Sequence, residues 1–174
     1  MRFFNTFDKR ATAGIRDLPT SYKPLMSGLT AAGEPVVVLG IGFIGFVLAT
    51  LRSQSAVEHA FAYAAIAFGF NVLLKMTLHR RRPYGLIVQT WGLRSYSFPS
   101  GHAFGSVIFY GLLAYLDVKY LAHPWDIVLA LALTALITLI GVSRVYLNTH
   151  YPSDVIAGWV LGSLSLPIIV SLAF

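Results

Sequence analysis

The residues best suited to chemistry lie between Ser143 and Asp154, in the stretch SRVYLNTHYPSD. His150 and Asp154 are four apart, a spacing that puts two side chains on one face of a helix. A carboxylate beside an imidazole sets its tautomer and leaves the other ring nitrogen free to attack an electrophile or to take a proton. Arg144 adds a permanent cation with a planar fork of donors, suited to a phosphate. Tyr151 and Pro152 are expected to break the backbone between two apolar runs. Polar groups beside membrane spans are often functional. The plainer alternative is a loop in which Arg144 reaches lipid head groups and His150 merely packs.

Two further blocks carry compatible residues. Lys75, His79 and Arg82 fall at i, i+4 and i+7, which predicts one stripe at a helix end, and Pro83 follows. In Phe98-Pro99-Ser100-Gly101-His102, Ser100 is a good N-cap. The amides after it can receive an anion, and Gly101 lets backbone approach a ligand closely. Taken singly, each block has a structural reading: a basic span end anchored to head groups, or a turn that starts a helix. The two histidines could also be an interfacial pair or metal ligands, but three cations at the same place argue against a metal ion. Together the blocks offer three cations, helix-start amides, two histidines and a carboxylate. That is an inventory for breaking a phosphate ester without a metal.

These residues must be positioned by membrane helices. Of 174 residues, 56% are hydrophobic and 11% charged, too apolar and charge-poor for an ordinary soluble domain. The predicted class is an all-α, polytopic membrane bundle. Five apolar runs fall near Val36–Leu51, Ala56–Leu74, His102–Leu116, Asp126–Val142 and Val155–Leu172. Most are near the short end of the roughly 17–25 residues a span needs, which tilt or a thin bilayer accommodates. Gly40, Gly42 and Gly45 allow close helix contact in the first run, and Pro167 is a potential kink in the last. With five spans, the loop 75–101 and the stretch Ser143–Asp154 lie on the same side, so all three blocks share one membrane face.

Before the spans, residues 1–33 are too polar for hydrocarbon. Phe3, Phe4, Phe7, Ala11, Ile15 and Leu18 recur at helical spacing, with Arg2, Asp8, Lys9, Arg10 and Arg16 largely between them. This predicts an amphipathic helix lying in the membrane interface, or a helix packed on the bundle. Leu25–Ala32 is read as a second short helix. The division is thus an interfacial segment 1–33 and a membrane domain 34–174, with no internal repeat and no signal-peptide core. No cysteine is present, so disulfides and thiolate metal sites are excluded. The net charge of +6 points to anionic lipid before nucleic acid, for which there is no motif.

The ordered pattern K-x6-RP, PSGH and SR-x5-H-x3-D resembles the type-2 phosphatidic acid phosphatase (lipid phosphate phosphatase) family, which is related to the vanadium haloperoxidases. Here it reads Lys75, Arg82 and Pro83; Pro99, Ser100, Gly101 and His102; Ser143, Arg144, His150 and Asp154. All three blocks are complete and correctly spaced. One PSGH alone would be weak, but the set is specific. The resemblance implies that His150 is a nucleophile forming a phosphohistidine and that Asp154 orients it. It implies that His102 is the general acid, and that Lys75, Arg82, Ser100, Gly101 and Arg144 cradle the phosphate, with no cofactor or metal. The implied substrate is a phosphorylated lipid in the bilayer: phosphatidate, phosphatidylglycerol phosphate, a polyprenyl phosphate or diphosphate, or a lipid A phosphate. Loop 84–98, with Trp91, is the expected selector among them. The alternatives are a phosphotransferase passing the phosphoryl group to another acceptor and a non-hydrolytic lipid-binding or transport protein.

His79, Arg80, Arg81 and Arg94 fall outside the family pattern, and Arg80 and Arg81 are read as lipid anchors. Many bacterial members carry an extra span where this chain has segment 1–33. Charge and resemblance disagree on sidedness. Eleven of the 13 basic residues fall on the face of the three blocks, and without Lys75, Arg82 and Arg144 the ratio is still eight to two. The positive-inside rule puts that face in the cytoplasm, whereas the family more often implies the extracytoplasmic side.

Overall fold

The computed structural model describes residues 2–86, 88–90, 93–121 and 123–174. Seven helices carry the fold: α1 Arg2–Arg16, α2 Lys23–Ala32, α3 Pro35–Leu51, α4 Ser55–Leu78, α5 Gly101–Tyr120, α6 Trp125–Tyr146 and α7 Pro152–Ala173. Four of them (α4 to α7) are long and apolar enough to cross a membrane, and α2 with α3, bent by 42°, makes a fifth. The expected all-α membrane bundle is therefore observed. One local departure lies in loop 84–98, where β1 Val88–Thr90 pairs antiparallel with β2 Leu93–Ser95. Trp91 lies outside the described residues.

Helices α4 to α7 run past the apolar stretches by which they were recognised. The expected runs stop at Leu74, Val142 and Val155, whereas the helices include Lys75, Arg144 and Asp154. The backbone continues helical for about one more turn because intrahelical hydrogen bonding does not require apolar side chains. Local chemistry sets the ends. Ser100 Oγ accepts from Ala103 N to start α5. Pro152 opens α7, where its missing N–H has no cost. His79 ends α4 in the left-handed region at φ 49°, so Lys75, His79 and Arg82 do not form one helical stripe. A loop, not a helix, brings Arg82 to the site. Pro167 lies within an unbroken α7.

Helix α5 is the central post. In its most apolar stretch 61% is buried against protein, compared with 22% in α4, α6 and α7, whose remaining surface suits lipid. Ile108, Phe109 and Leu112 of α5 are fully buried with Val38 and Ile140. Small residues bring the neighbours close. A Cβ on Gly158 of α7 would lie 2.7 Å from the carbonyl oxygen of Ser100, so nothing larger allows this approach. Gly42 and Gly45 pack on Phe109 and Phe61 as expected, but Gly40 has nothing within 4 Å.

Helix α1 packs on α6 and α7. Among its described side chains Asp8 and Thr12 are buried, flanked by the half-buried Ala11 and Ile15, while Phe7 is exposed. A purely apolar stripe would have turned Asp8 outward. The ion pair described below explains why Asp8 is buried instead.

Candidate active site

The three polar blocks converge at one end of the bundle, from the last turn of α4, the start of α5 and the α6–α7 junction. After α6, Asn148 adopts φ 58°, and the amides of Thr149 and His150 both bond to the Arg144 carbonyl. This tight turn projects the buried His150 ring inward. Asp154 is fully buried and accepts from Tyr151 N at 2.9 Å. Ser100 N bonds the Asp154 carbonyl at 2.9 Å, tying the start of α5 to α7.

The two ring nitrogens of His150 face opposite kinds of charge. Nδ1 is 3.5 Å from Asp154 Oδ2, and Nε2 is 3.2 Å from Arg82 Nη1. Ser97 Oγ donates to Asp154 Oδ2 and lies 3.5 Å from His150 Nδ1. The imidazole–carboxylate contact is thus looser than a formed hydrogen bond. Burial first, and then the charges of Lys75 and Arg82, hold the His150 imidazole well below its usual 6.5. A neutral ring with Nδ1 toward a carboxylate carries its lone pair on Nε2, which points at the cations.

Arg82 is buried and aimed by the loop. Its Nε donates to the Ser95 carbonyl at 3.2 Å, Nη2 to Ser95 Oγ at 3.1 Å, and Nη1 to the Thr149 carbonyl at 2.9 Å. Arg144 donates to Thr30 Oγ1 of α2, and its Nε has no partner among the described residues. Lys75 Nζ and Asn71 Oδ1 both lie 3.6 Å from where a Cβ on Gly101 would sit, so glycine keeps that space open. His102 Nε2 is 3.5 Å from Glu34 Oε1, at the bend between α2 and α3. All eight expected site residues thus come to one end: Lys75, Arg82, Ser100, Gly101, His102, Arg144, His150 and Asp154. Among the described residues no three His, Asp or Glu side chains are arranged to hold a metal ion.

Other contributors carry no motif. Ser97, Glu34, Thr30 and Asn71 could not be found by spacing, because they reach the site through folding; Ser97, three residues before Ser100, is the nearest to a sequence cue. Arg80 corrects the lipid-anchor reading. It pairs with Asp154 Oδ1 at 2.5 Å and Asp8 Oδ2 at 2.7 Å, and lies over the Tyr151 ring at 4.4 Å. Buried carboxylates on both sides draw it inward. Arg81 is exposed as expected. His79 leaves the stripe and stands edge-on to Tyr96 at 4.5 Å. The side chain of Arg94 lies outside the described residues.

The chain is 36% identical over 99 residues to phosphatidylglycerophosphatase B of Bacillus subtilis, covering 54% of this chain and 46% of that protein. It is 35% identical over 103 residues to an undecaprenyl-diphosphatase of Sulfolobus acidocaldarius, covering 56% and 46%. In both cases the chain spans about half the length of its relative. A lipid A 1-phosphatase of Rhizobium etli is 29% identical over 175 residues, covering 87% of this chain and 72% of that protein. Among solved structures, the PAP2-type phosphatidylglycerolphosphate phosphatase of Bacillus subtilis superposes with a TM-score of 0.82 at 25% identity, covering 99% of this chain and 87% of that one. Aquifex aeolicus LpxE shares the fold, with a TM-score of 0.70 at 19% identity and 93% coverage of each chain. The sequence profile of the PAP2 superfamily matches residues 55–174, the part that holds all three blocks, and the chain belongs to that superfamily.

Proposed function

We propose that this protein is a multi-pass membrane phosphatase that removes a terminal phosphate, from a monoester or a diphosphate, on a lipid. The observation that carries the reading is the polarity of His150, with Nδ1 toward Asp154 and Nε2 toward Arg82. In the first step the Nε2 lone pair bonds to phosphorus while the bond to the lipid oxygen breaks, and His102 gives that oxygen a proton. In the second, water attacks the phosphohistidine, the P–N bond breaks, His102 takes the water proton and orthophosphate leaves. Lys75, Arg82, Arg144 and the amides after Ser100 stabilise the charge on the equatorial oxygens. Splitting hydrolysis at a covalent intermediate lowers each barrier. The cations fill the electrostatic role a metal would otherwise take.

The names of the three relatives describe phosphates on a glycerolipid, a polyprenol and lipid A. Their common feature is a terminal phosphate on a long apolar tail, the substrate class proposed here. The test is phosphate release in detergent with EDTA from phosphatidate, phosphatidylglycerol phosphate, undecaprenyl diphosphate, lipid A and a soluble ester. Release from a lipid that is lost in His150→Ala supports the reading. A folded protein that releases none, or one that forms a phosphorylated acceptor instead, overturns it.

On charge alone, and against the side the family more often implies, we propose a cytoplasmic active face, because basic residues crowd it. The absence of cysteine makes single-cysteine labelling clean. Lys119→Cys should react with an impermeant maleimide on intact cells, and Lys23→Cys only after lysis. The reverse pattern places the site outside.

A further inference from the structure

We infer that Asp8 and Arg80 are positioning residues for the reaction, so that α1 is a working part of the active site. The inference rests on the phosphatase reading above. Asp8 is buried at 3% exposure on a helix whose Phe7 remains exposed. Its Oδ1 accepts from Ser153 N at 2.9 Å; its Oδ2 accepts from Ser153 Oγ at 2.8 Å and Arg80 Nη2 at 2.7 Å. The other terminal nitrogen of Arg80 donates to Ser153 Oγ at 2.8 Å and to Asp154 Oδ1 at 2.5 Å. One guanidinium therefore bridges a carboxylate from α1 and the carboxylate that faces the nucleophile.

The bridge decides how Asp154 is presented. With Oδ1 held by Arg80, the carboxylate plane is fixed and Oδ2 turns to His150 Nδ1 and Ser97. Asp8 matters for two reasons. It holds the fork of Arg80 in place, and it offsets the Arg80 charge, so the Asp154 carboxylate keeps its negative character toward the imidazolium-like ring that forms as His150 attacks. Without Asp8, Arg80 belongs to Asp154 alone and pulls it away from His150. Outer-shell partners of metal-bound histidines matter by about 10- to 100-fold, and an effect of that order is expected for this histidine.

The test is a double-mutant cycle on kcat and KM with phosphatidate, phosphatidylglycerol phosphate and undecaprenyl diphosphate in dodecyl maltoside. Asp8→Asn and Arg80→Met should each lower kcat by about tenfold or more with KM little changed. The double variant should be no slower than Arg80→Met, because Asp8 acts through Arg80. Lys9→Gln, on the exposed side of α1, should match the parent. If Arg80→Met does not fold, Arg80→Lys replaces it: a single ammonium cannot reproduce the fork whose two terminal nitrogens take the two carboxylates separately, so kcat should fall in the same direction. A role limited to attaching α1 would lower thermal stability and leave kcat alone. Parental kcat in Asp8→Asn, a loss confined to KM, or multiplicative losses in the double variant overturns the inference while leaving the phosphatase intact. A parent inactive on all three lipids overturns both.

Discussion

The two ends of the bundle handle buried charge in opposite ways. At the end that holds the candidate site, Asp8, Arg80, Asp154, Ser97 and Tyr151 form one connected set, and the cations Lys75, Arg82 and Arg144 stand in excess around His150. At the other end, both carboxylate oxygens of Asp117 are buried without a hydrogen-bond partner among the described residues. Lys119, two positions on, directs its charge to the Phe174 ring at 3.4 Å, and Asp126 is met by His123 Nδ1 at 3.0 Å. Buried charge in itself therefore does not define a site in this protein. A site arises where carboxylates are tied down and the surplus cations point at one nucleophilic atom, since a fixed array costs no reorganisation as charge moves in the transition state.

The largest expected effect is at the proposed nucleophile. His150→Ala should reduce phosphate release by roughly 10⁵-fold or more, while the purified variant elutes like the parent. Parental turnover would remove His150 from its role. Asp154→Asn should cost less, on the order of 10⁴-fold in kcat, as when an orienting carboxylate is lost from a comparable pair. A loss equal to that of His150→Ala would give Asp154 a further role. Arg82→Lys should lower kcat by about 10²- to 10³-fold, because an ammonium cannot reproduce the fork that reaches Ser95, Thr149 and His150.

The pH profile sharpens the same contrast. His150 is held well below 6.5 in the folded protein, so it stays neutral as pH falls past that value. The acid limb of kcat/KM attributable to it should therefore lie below pH 6.5, and Arg82→Met should move that limb upward by removing a nearby cation. The stability sign follows from linkage. Below pH 6.5 the unfolded chain protonates this histidine and the folded chain does not, so its contribution to stability falls as the medium becomes more acidic. The smallest effect belongs to the far end. Asp117→Asn should leave kcat unchanged and raise the melting temperature, because a buried carboxylate without partners becomes a neutral amide. A loss of turnover there would break the comparison between the two ends.

The sequence determined more of the site than of its surroundings. Lys75, Arg82, Ser100, Gly101, His102, Arg144, His150 and Asp154 were all legible, because chemistry restricts residue type and a short loop or helix turn restricts spacing. The bundle was legible because a bilayer demands long apolar helices. Tertiary structure decided what supports them. Periodicity puts Asp8 between the apolar residues of α1, yet the helix buries it, where it pairs with Arg80. Arg80 reads from the sequence as a head-group anchor, whereas in the fold Asp8 and Asp154 lie on either side of it. Residues 8, 80 and 154 are joined through space alone, and no local pattern records such a contact. Local chemistry and the membrane's demand for apolar length are written along the chain, whereas which charge faces which is known only once the helices have packed.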